Sequence, residues 1–275
     1  MTLPALLENR LSLPLIGSPM FIVSQPELVL AQCRAGIVGA FPSLNARLAE
    51  DLALCVRYRV PIVITSLGAR AEVNDAVHSY GGIVLHDVIN NQFARKAIEK
   101  GADGLIAVAA GAGGHAGTLS PFALVQEIRA WFDGPLALSG AIATGRAIAA
   151  ARMVGADLAY MGSPFIATQE ANAEPGYKQM IVDSGAGDIV YSDYFTGVHG
   201  NYLRPSIMAA GLDPDHLPDA ADMDFSSVAT GDKKAWRDVW GAGQGIGAVR
   251  QVQPAAAFIA QLRQEYQAAV AGFPS

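Results

Sequence analysis

His115 is the one titratable residue in a stretch of small side chains, Ala110-Gly111-Ala112-Gly113-Gly114-His115-Ala116-Gly117. An imidazole titrates near pH 6.5, which suits proton transfer at neutral pH. The flanking Gly113 and Gly114 carry no side chain, so a flat ligand can lie close to the ring. Two other short stretches, Ser139-Gly140-Ala141-Ile142 and Met161-Gly162-Ser163, offer hydroxyls and backbone N–H groups. Such donors hold a phosphate without any net positive charge. His86, beside Asp87, is a second candidate histidine. His199 lies in the aromatic stretch Gly197–Tyr202, which reads as a loop capping a site. His78 and His216 read as surface residues.

Several chemistries are excluded by spacing. The histidines show no metal-ligand pattern such as a His-x-x-x-His pair on a helix. The glycines at 111, 113 and 114 fail the dinucleotide-binding spacing, because the third falls too early. No Gly-x-Ser-x-Gly elbow marks a serine hydrolase. A barrel lyase or isomerase would be expected to carry a Lys or paired carboxylates at the strand ends, and neither is seen.

The elements that must position these residues alternate. Apolar β-type runs at Leu13–Ile16, Ile37–Phe41, Pro61–Ser66, Gly82–His86, Gly104–Ala109, Pro135–Ser139 and Leu158–Gly162 are rich in Val, Ile and Leu, as strands buried on both faces should be. Stretches of helical periodicity separate them: Gln25–Ala35, Leu48–Arg59, Glu72–Tyr80, Gln92–Lys100, Ser120–Phe132 and Thr144–Val154. Four of these stop at a glycine, Gly36, Gly81, Gly101 and Gly155, the residue that most readily closes a helix. Repeated β-α implies a parallel sheet with right-handed crossovers. The pattern fits a (β/α)8 barrel, with an open doubly wound sheet as the competing architecture. In a barrel, ligands bind at the carboxyl ends of the strands, where His115, His86 and the two Gly/Ser stretches fall.

Only seven strands can be counted before Ala167. Between Phe41 and Pro61 there is room for one short helix, so one β/α unit is missing near Arg47-Leu48. After Thr168 the pattern changes. Glu170–Ser184 reads as a helix, Tyr191–Pro205 as an aromatic loop, Leu212–Asp232 as an Asp/Pro-rich segment and Pro254–Ala271 as a closing helix. The expected division is a main barrel over 1–168, a small capping subdomain over 169–250, and a helix over 251–275 that packs back on the barrel.

Composition limits the partners. Apolar residues make up 51% of the 275 and charged residues 16%, enough to fill a large core. The net charge of -6 and the absence of a basic stripe argue against nucleic acid. No apolar run reaches the roughly 18 to 20 residues of a membrane span, and the first residues lack a signal-peptide pattern. Cys33 and Cys55 lie inside helical apolar patterns and are expected as buried thiols, with a reducing cytoplasm as the expected location.

Three segments carry a resemblance to a known family: Gly113-Gly114-His115-Ala116-Gly117, Ser139–Arg146, and Gly155–Phe165. Ser18-Pro19-Met20 and Gly243-Gln244-Gly245 add to it. In these the chain resembles the nitronate monooxygenases, once called 2-nitropropane dioxygenases. These are FMN-dependent barrel enzymes grouped with NADH:quinone reductases and FMN-dependent enoyl reductases. The resemblance implies FMN as cofactor and His115 as the base that removes the proton α to a nitro group, or orients the nitronate. Dioxygen would be the second substrate. It further implies that Ser139, Gly140, Ala141, Gly162 and Ser163 hold the FMN phosphate, and that Pro19, Met20 and Phe21 line the flavin ring. A homodimer is compatible with it. His86 stands where some members carry a flavin-contacting lysine. Members usually carry a further β/α unit at the position of Arg47-Leu48. Either the chain truly lacks this unit, or a segment of roughly 50 residues, the size of one to two units, is omitted from the sequence; the strand edges that an open seven-stranded barrel exposes favour omission. Two alternatives stay open: an NAD(P)H:quinone or enoyl reductase on the same barrel, and a non-catalytic barrel that binds a phosphate ligand.

Overall fold

Each of the seven apolar runs forms a strand. The computed structural model describes residues 6–42, 48–218 and 239–272. Its main-sheet strands are β1 (Leu15–Gly17), β2 (Val38–Gly39), β3 (Ile62–Thr65), β4 (Ile83–Val88), β5 (Gly104–Val108), β7 (Leu136–Ser139) and β8 (Leu158–Met161). A two-residue strand, β6 (Gly114–His115), belongs to a different sheet. The crossover helices are α1 (Pro26–Arg34), α2 (Leu48–Tyr58), α3 (Ala71–His78), α4 (Asn91–Glu99), α5 (Pro121–Arg129) and α6 (Gly145–Met153). Gly36, Gly81, Gly101 and Gly155 all adopt positive φ, which is where the preceding helices stop.

The strands pair in parallel in the order β2-β1-β8-β7-β5-β4-β3. This is the order of a β/α barrel opened at one seam. β2 and β3 form its two ends, and among the described residues no strand bridges them. The seam therefore falls where the sequence is one unit short.

Alternation along the strands separates two cores. Ile16, Leu85, Ile106, Val108, Ala137, Leu158 and Tyr160 turn inward and pack together. Leu15, Leu105, Leu136, Leu138 and Met161 turn outward against Leu28, Leu124, Ile128, Ile148, Phe258 and Leu262. At the start of β8 the buried Asp157 takes a 2.6 Å bond from Arg129 Nη2 and a 2.9 Å bond from Leu136 N. A charged acceptor shared by a helix and a neighbouring strand fixes where β7 and β8 begin.

The chain continues through α7 (Ser163–Ile166), α8 (Pro175–Asp183), β9 (Ile189–Ser192), β10 (Gly200–Leu203), α9 (Arg204–Ala209) and α10 (Ala255–Ala271). Two expectations are corrected. The segment expected to be an aromatic loop contains the end of β9 and all of β10, and these strands form an antiparallel sheet with β6 in the order β6-β10-β9. Its alternation is masked because Gly200–Leu203 is buried on both faces. Cys33 is exposed because α1 turns Leu28 and Gln32 to the core instead, and Cys55 is half-buried on α2, none of whose residues is fully buried. Most of Leu212–Asp232 lies outside the described residues, as do 43–47.

Helix α10 packs on α6 closely enough for backbone contact. Gly145 N donates to Glu265 Oε2 at 2.8 Å. A Cβ on Gly145 would run into the backbone of Leu262 and Tyr266. Gly145→Ala should therefore destabilise the protein by about 1–3 kcal/mol, the usual cost of overpacking. Thermal unfolding should show a midpoint several degrees lower. An unchanged midpoint would mean that α10 does not hold this position.

Candidate active site

The carboxyl ends of β5, β7 and β8 meet at a narrow cleft. Its wall includes Gly111, Gly113, Ser139, Gly140, Gly162 and Ser163, joined by Gly243 and Gly245 from a late turn. None of the side chains lining it is charged. Gly111 O pins three loops together, accepting from Ala141 N at 3.2 Å and from Gln244 N at 2.9 Å. Ser163 Oγ accepts from Gly243 N at 2.8 Å, which leaves its own proton to be donated elsewhere.

The approach is close enough that side chains would fill it. A Cβ on Gly113 would stand 2.6 Å from Ser163 Oγ and 2.9 Å from Gly243 N. Gly140 has φ +138, and its neighbour Ala141 holds φ 53 despite its side chain. Ile22 and Leu67, in the loops after β1 and β3, also have positive φ, at 69 and 57. Non-glycine residues rarely adopt this conformation, and strain of this kind gathers at ligand-binding ends. Three of the five such residues described lie at the end of the barrel that the sequence pointed to; the other two, Asn9 and Arg59, lie elsewhere.

The sequence-derived residues fall into three groups. Gly113, Ser139, Gly140, Ala141, Gly162 and Ser163 are together on the cleft wall. Gly114 and His115 follow directly from Gly113 as strand β6. Pro19, Met20 and Phe21 leave β1 at the same end. The Met20 side chain lies by Gly162, its Sδ 3.4 Å from where a Cβ would stand, whereas Phe21 is half exposed. Ala141 N is spent on Gly111 O, so this residue shapes the cleft with its strained turn rather than through that donor.

His86 is not brought to the cleft. It is buried on the outer side of β4, with Nδ1 2.6 Å from Thr65 Oγ1, its partner across the sheet. Burial first, and then the charge of Lys100, push its pKa down. The residue on the inner side is Asp87. Its Oδ1 is sealed from solvent and meets no donor among the described residues. Burial raises its pKa to about 7, with a hydrogen bond from Ser66 opposing the shift. Tyr160, which also lines the cleft, is pushed well up by burial and then by the charge of Asp87. A hydrogen bond with Ser18 opposes this. Asp87 was overlooked because it follows a histidine. Counting by twos from Leu85 would have found it.

His115 is half-buried, and burial lowers its pKa. Its strand pairs with β10, placing His115 opposite Gly200 and Gly114 opposite Asn201. Asn201 Nδ2 donates to Ala112 O at 2.6 Å, and Tyr191 Oη donates to Ala116 O at 2.9 Å. His115 Nε2 lies 3.0 Å from Thr196 Oγ1. His199 stays exposed, its ring stacked on Tyr191 with centroids 5.0 Å apart. The segment 189–203 thus clamps the glycine-rich loop.

A model of the nitronate monooxygenase family matches residues 42–265, most of the chain and all of the cleft. The chain belongs to the nitronate monooxygenase family. A nitronate monooxygenase of Paraburkholderia phytofirmans is 28% identical over 217 residues, covering 73% of this chain and 59% of that protein. The chain spans between half and three fifths of the length of such relatives. Among solved structures, a nitroalkane oxidase from Streptomyces ansochromogenes superposes with a TM-score of 0.76 at 25% identity, covering 96% of this chain and 99% of the other. FabK from Thermotoga maritima superposes with a TM-score of 0.77 at 22% identity, covering 98% of each chain, which shows a shared fold.

Two outcomes follow from the geometry. Gly113→Ala forces Ser163 or the Gly243 backbone aside, so any phosphate-bearing ligand of the cleft should bind at least tenfold more weakly while the fold persists; titration with FMN followed by flavin fluorescence measures this. Asp87→Asn should flatten the stability profile between about pH 4 and 7. Because its folded pKa lies above the unfolded 3.8, the native state holds the extra proton there and loses stability as pH rises. At about 1.4 kcal/mol per pKa unit the effect is at most about 4 kcal/mol. Denaturant titrations of both proteins across this window check it.

Proposed function

We propose that the protein is an FMN-dependent oxidoreductase that oxidises alkyl nitronates, or the nitroalkanes that yield them, with dioxygen. The observation that carries this reading is the uncharged Gly/Ser cradle at the ends of β7 and β8, next to a half-buried histidine clamped on the adjoining loop. The cradle fits the phosphate of FMN. Ser139 and Ser163 would contribute hydroxyls, and Gly140 and Gly162 would let the backbone approach it. Pro19, Met20 and Phe21, leaving β1 at the same end, would border the ring. Barrels commonly hold a phosphate at their last two strand ends. FMN supplies the two-electron acceptor and the route to dioxygen.

His115 is the base in this reading. Burial keeps the imidazole neutral at physiological pH, so it can accept a proton. The carbon–hydrogen bond α to the nitro group breaks, its proton passes to the ring, and the electron pair moves onto the nitro group. The clamp of β9 and β10 holds the ring in place and shields it from water. In this arrangement the described residues of 1–168 with the closing helix form the barrel, and those of 169–250 cap it. The cap shares the barrel's core, since Tyr177, Ile181, Leu203 and Ile246 pack within it.

His115→Asn should leave FMN bound and reduce turnover of a neutral nitroalkane by at least about a hundredfold, the usual worth of a general base. In the unmodified protein, turnover should fall as pH drops through a pKa below 6.5, because the protonated ring cannot accept. Steady-state rates across pH 5–9 test both. Undiminished turnover by His115→Asn would overturn the assignment. Rapid anaerobic bleaching of the bound flavin by NADH or NADPH would point to a reductase instead.

A further inference from the structure

Asp87 is the inward-facing residue nearest the carboxyl end of β4. Leu85 turns inward with it, while Val84, His86 and Val88 turn outward. Its Oδ1 is sealed from solvent and meets no donor among the described residues, although the residue as a whole is only part-buried. A buried oxygen without a donor is costly, and native proteins keep few of them, each with a partner from outside the chain or a functional reason. The other such side chains described, Gln32, Asn74, Arg152 and Asp157, lie on helices or at the start of β8. Asp87 alone among them lies at the end of the barrel that carries the cleft.

Two observations tie this carboxyl to the site. Tyr160, on the cleft wall, is pushed up by burial and then by the charge of Asp87. Strands β8 and β4 are separated by β7 and β5 in the sheet, so this influence crosses the barrel interior. Ile89, just after β4, abuts the histidine loop: a Cβ on Gly117 would stand 2.9 Å from Ile89 Cβ and 3.1 Å from Ile89 O. The end of β4 therefore faces the Gly/Ser cradle across the barrel and touches the loop that carries His115. A ligand with its phosphate in the cradle and its reacting ring at His115 passes over it. The groups facing Asp87 are few. Ser66, at the end of β3, bonds to it, Tyr160 faces it from β8, and its neighbour across β5 is Ile106. Helices α3 and α4 pack on the outer side of β4, where His86 and Lys100 interact. Among the described residues no cation acts on Asp87.

We propose that Asp87 is a cofactor-contacting residue whose carboxyl lies against the flavin ring and, when ionised, opposes the ring's uptake of electrons. This rests on the reading of the cleft as an FMN site. Like charges repel strongly where little water screens them. The ring gains two electrons from the substrate, so a carboxylate beside it makes that gain harder, and a neutral carboxyl removes the penalty. The coupling is reciprocal. Reduction of the ring therefore lifts the pKa of Asp87 above the value of about 7 that burial gives it. Between the two values, reduction draws one further proton from solvent onto the carboxyl.

The test uses the FMN-loaded protein, as the unmodified chain and as the variants Asp87→Asn and Asp87→Leu. Spectroelectrochemical titration gives the midpoint potential of the bound flavin across pH 5–9. At the acid end, where Asp87 is protonated, the three potentials should agree closely. As pH rises, the potential of the unmodified protein should drop below those of both variants, by an offset that grows and then levels off. In the unmodified protein with carbon-13-labelled aspartate, the Asp87 carboxyl should titrate roughly one unit or more higher once the flavin is reduced. An Asp87 titration that is the same with oxidised and reduced flavin overturns the proposal, and that measurement stands even if neither variant folds. So does an offset that is the same at every pH, the mark of a structural effect, or no offset at all. If the unmodified chain takes up no FMN, the cofactor reading itself has failed, and this proposal falls with it.

Discussion

Two backbone rungs, His115 against Gly200 and Gly114 against Asn201, hold the candidate site together. A loop so rich in glycine has little side-chain packing to order it, and ordering each residue costs about 1–2 kcal/mol of conformational entropy. The cap sheet offsets that cost from outside the barrel. It supplies the rungs, the Asn201 bond to Ala112 O and the Tyr191 bond to Ala116 O. Without them the loop would still be held at its start, where Gly111 O accepts from Ala141 N and Gln244 N.

The barrel is the rigid partner of that clamp. Its strands are short, but β5, β7 and β8 are buried along their whole length between two cores. The cleft lies at the ends of these well-supported strands. The open seam between β2 and β3 is elsewhere in the sheet, two strands from β5 on one side and next to β1 on the other. The Gly/Ser cradle therefore forms even though the sheet does not close.

Charge is handled by placement rather than by number. The cleft has no charged lining, and Asp87, on the inner side of β4, is pushed toward its neutral form by burial. His115 is likewise held toward neutrality. Burial thus opposes charge on both groups.

The sequence by itself determined the seven strands, the six crossover helices and the end of the barrel where the Gly/Ser cleft lies. All of these rest on local signals: apolar period, glycine at helix ends, and small residues after strands. It also located the missing unit, since a strand count needs only chain order. It did not determine which way a residue faces. His86 and Asp87 are neighbours in sequence, and only the register of β4 against β3 and β5 turned the histidine outward and the carboxylate inward. Nor could it find the clamp, because His115 and Thr196 are 81 residues apart and neither segment has a local pattern that names its partner. Pairing at that distance is settled by what else the chain has already packed, and that is a property of the tertiary structure alone.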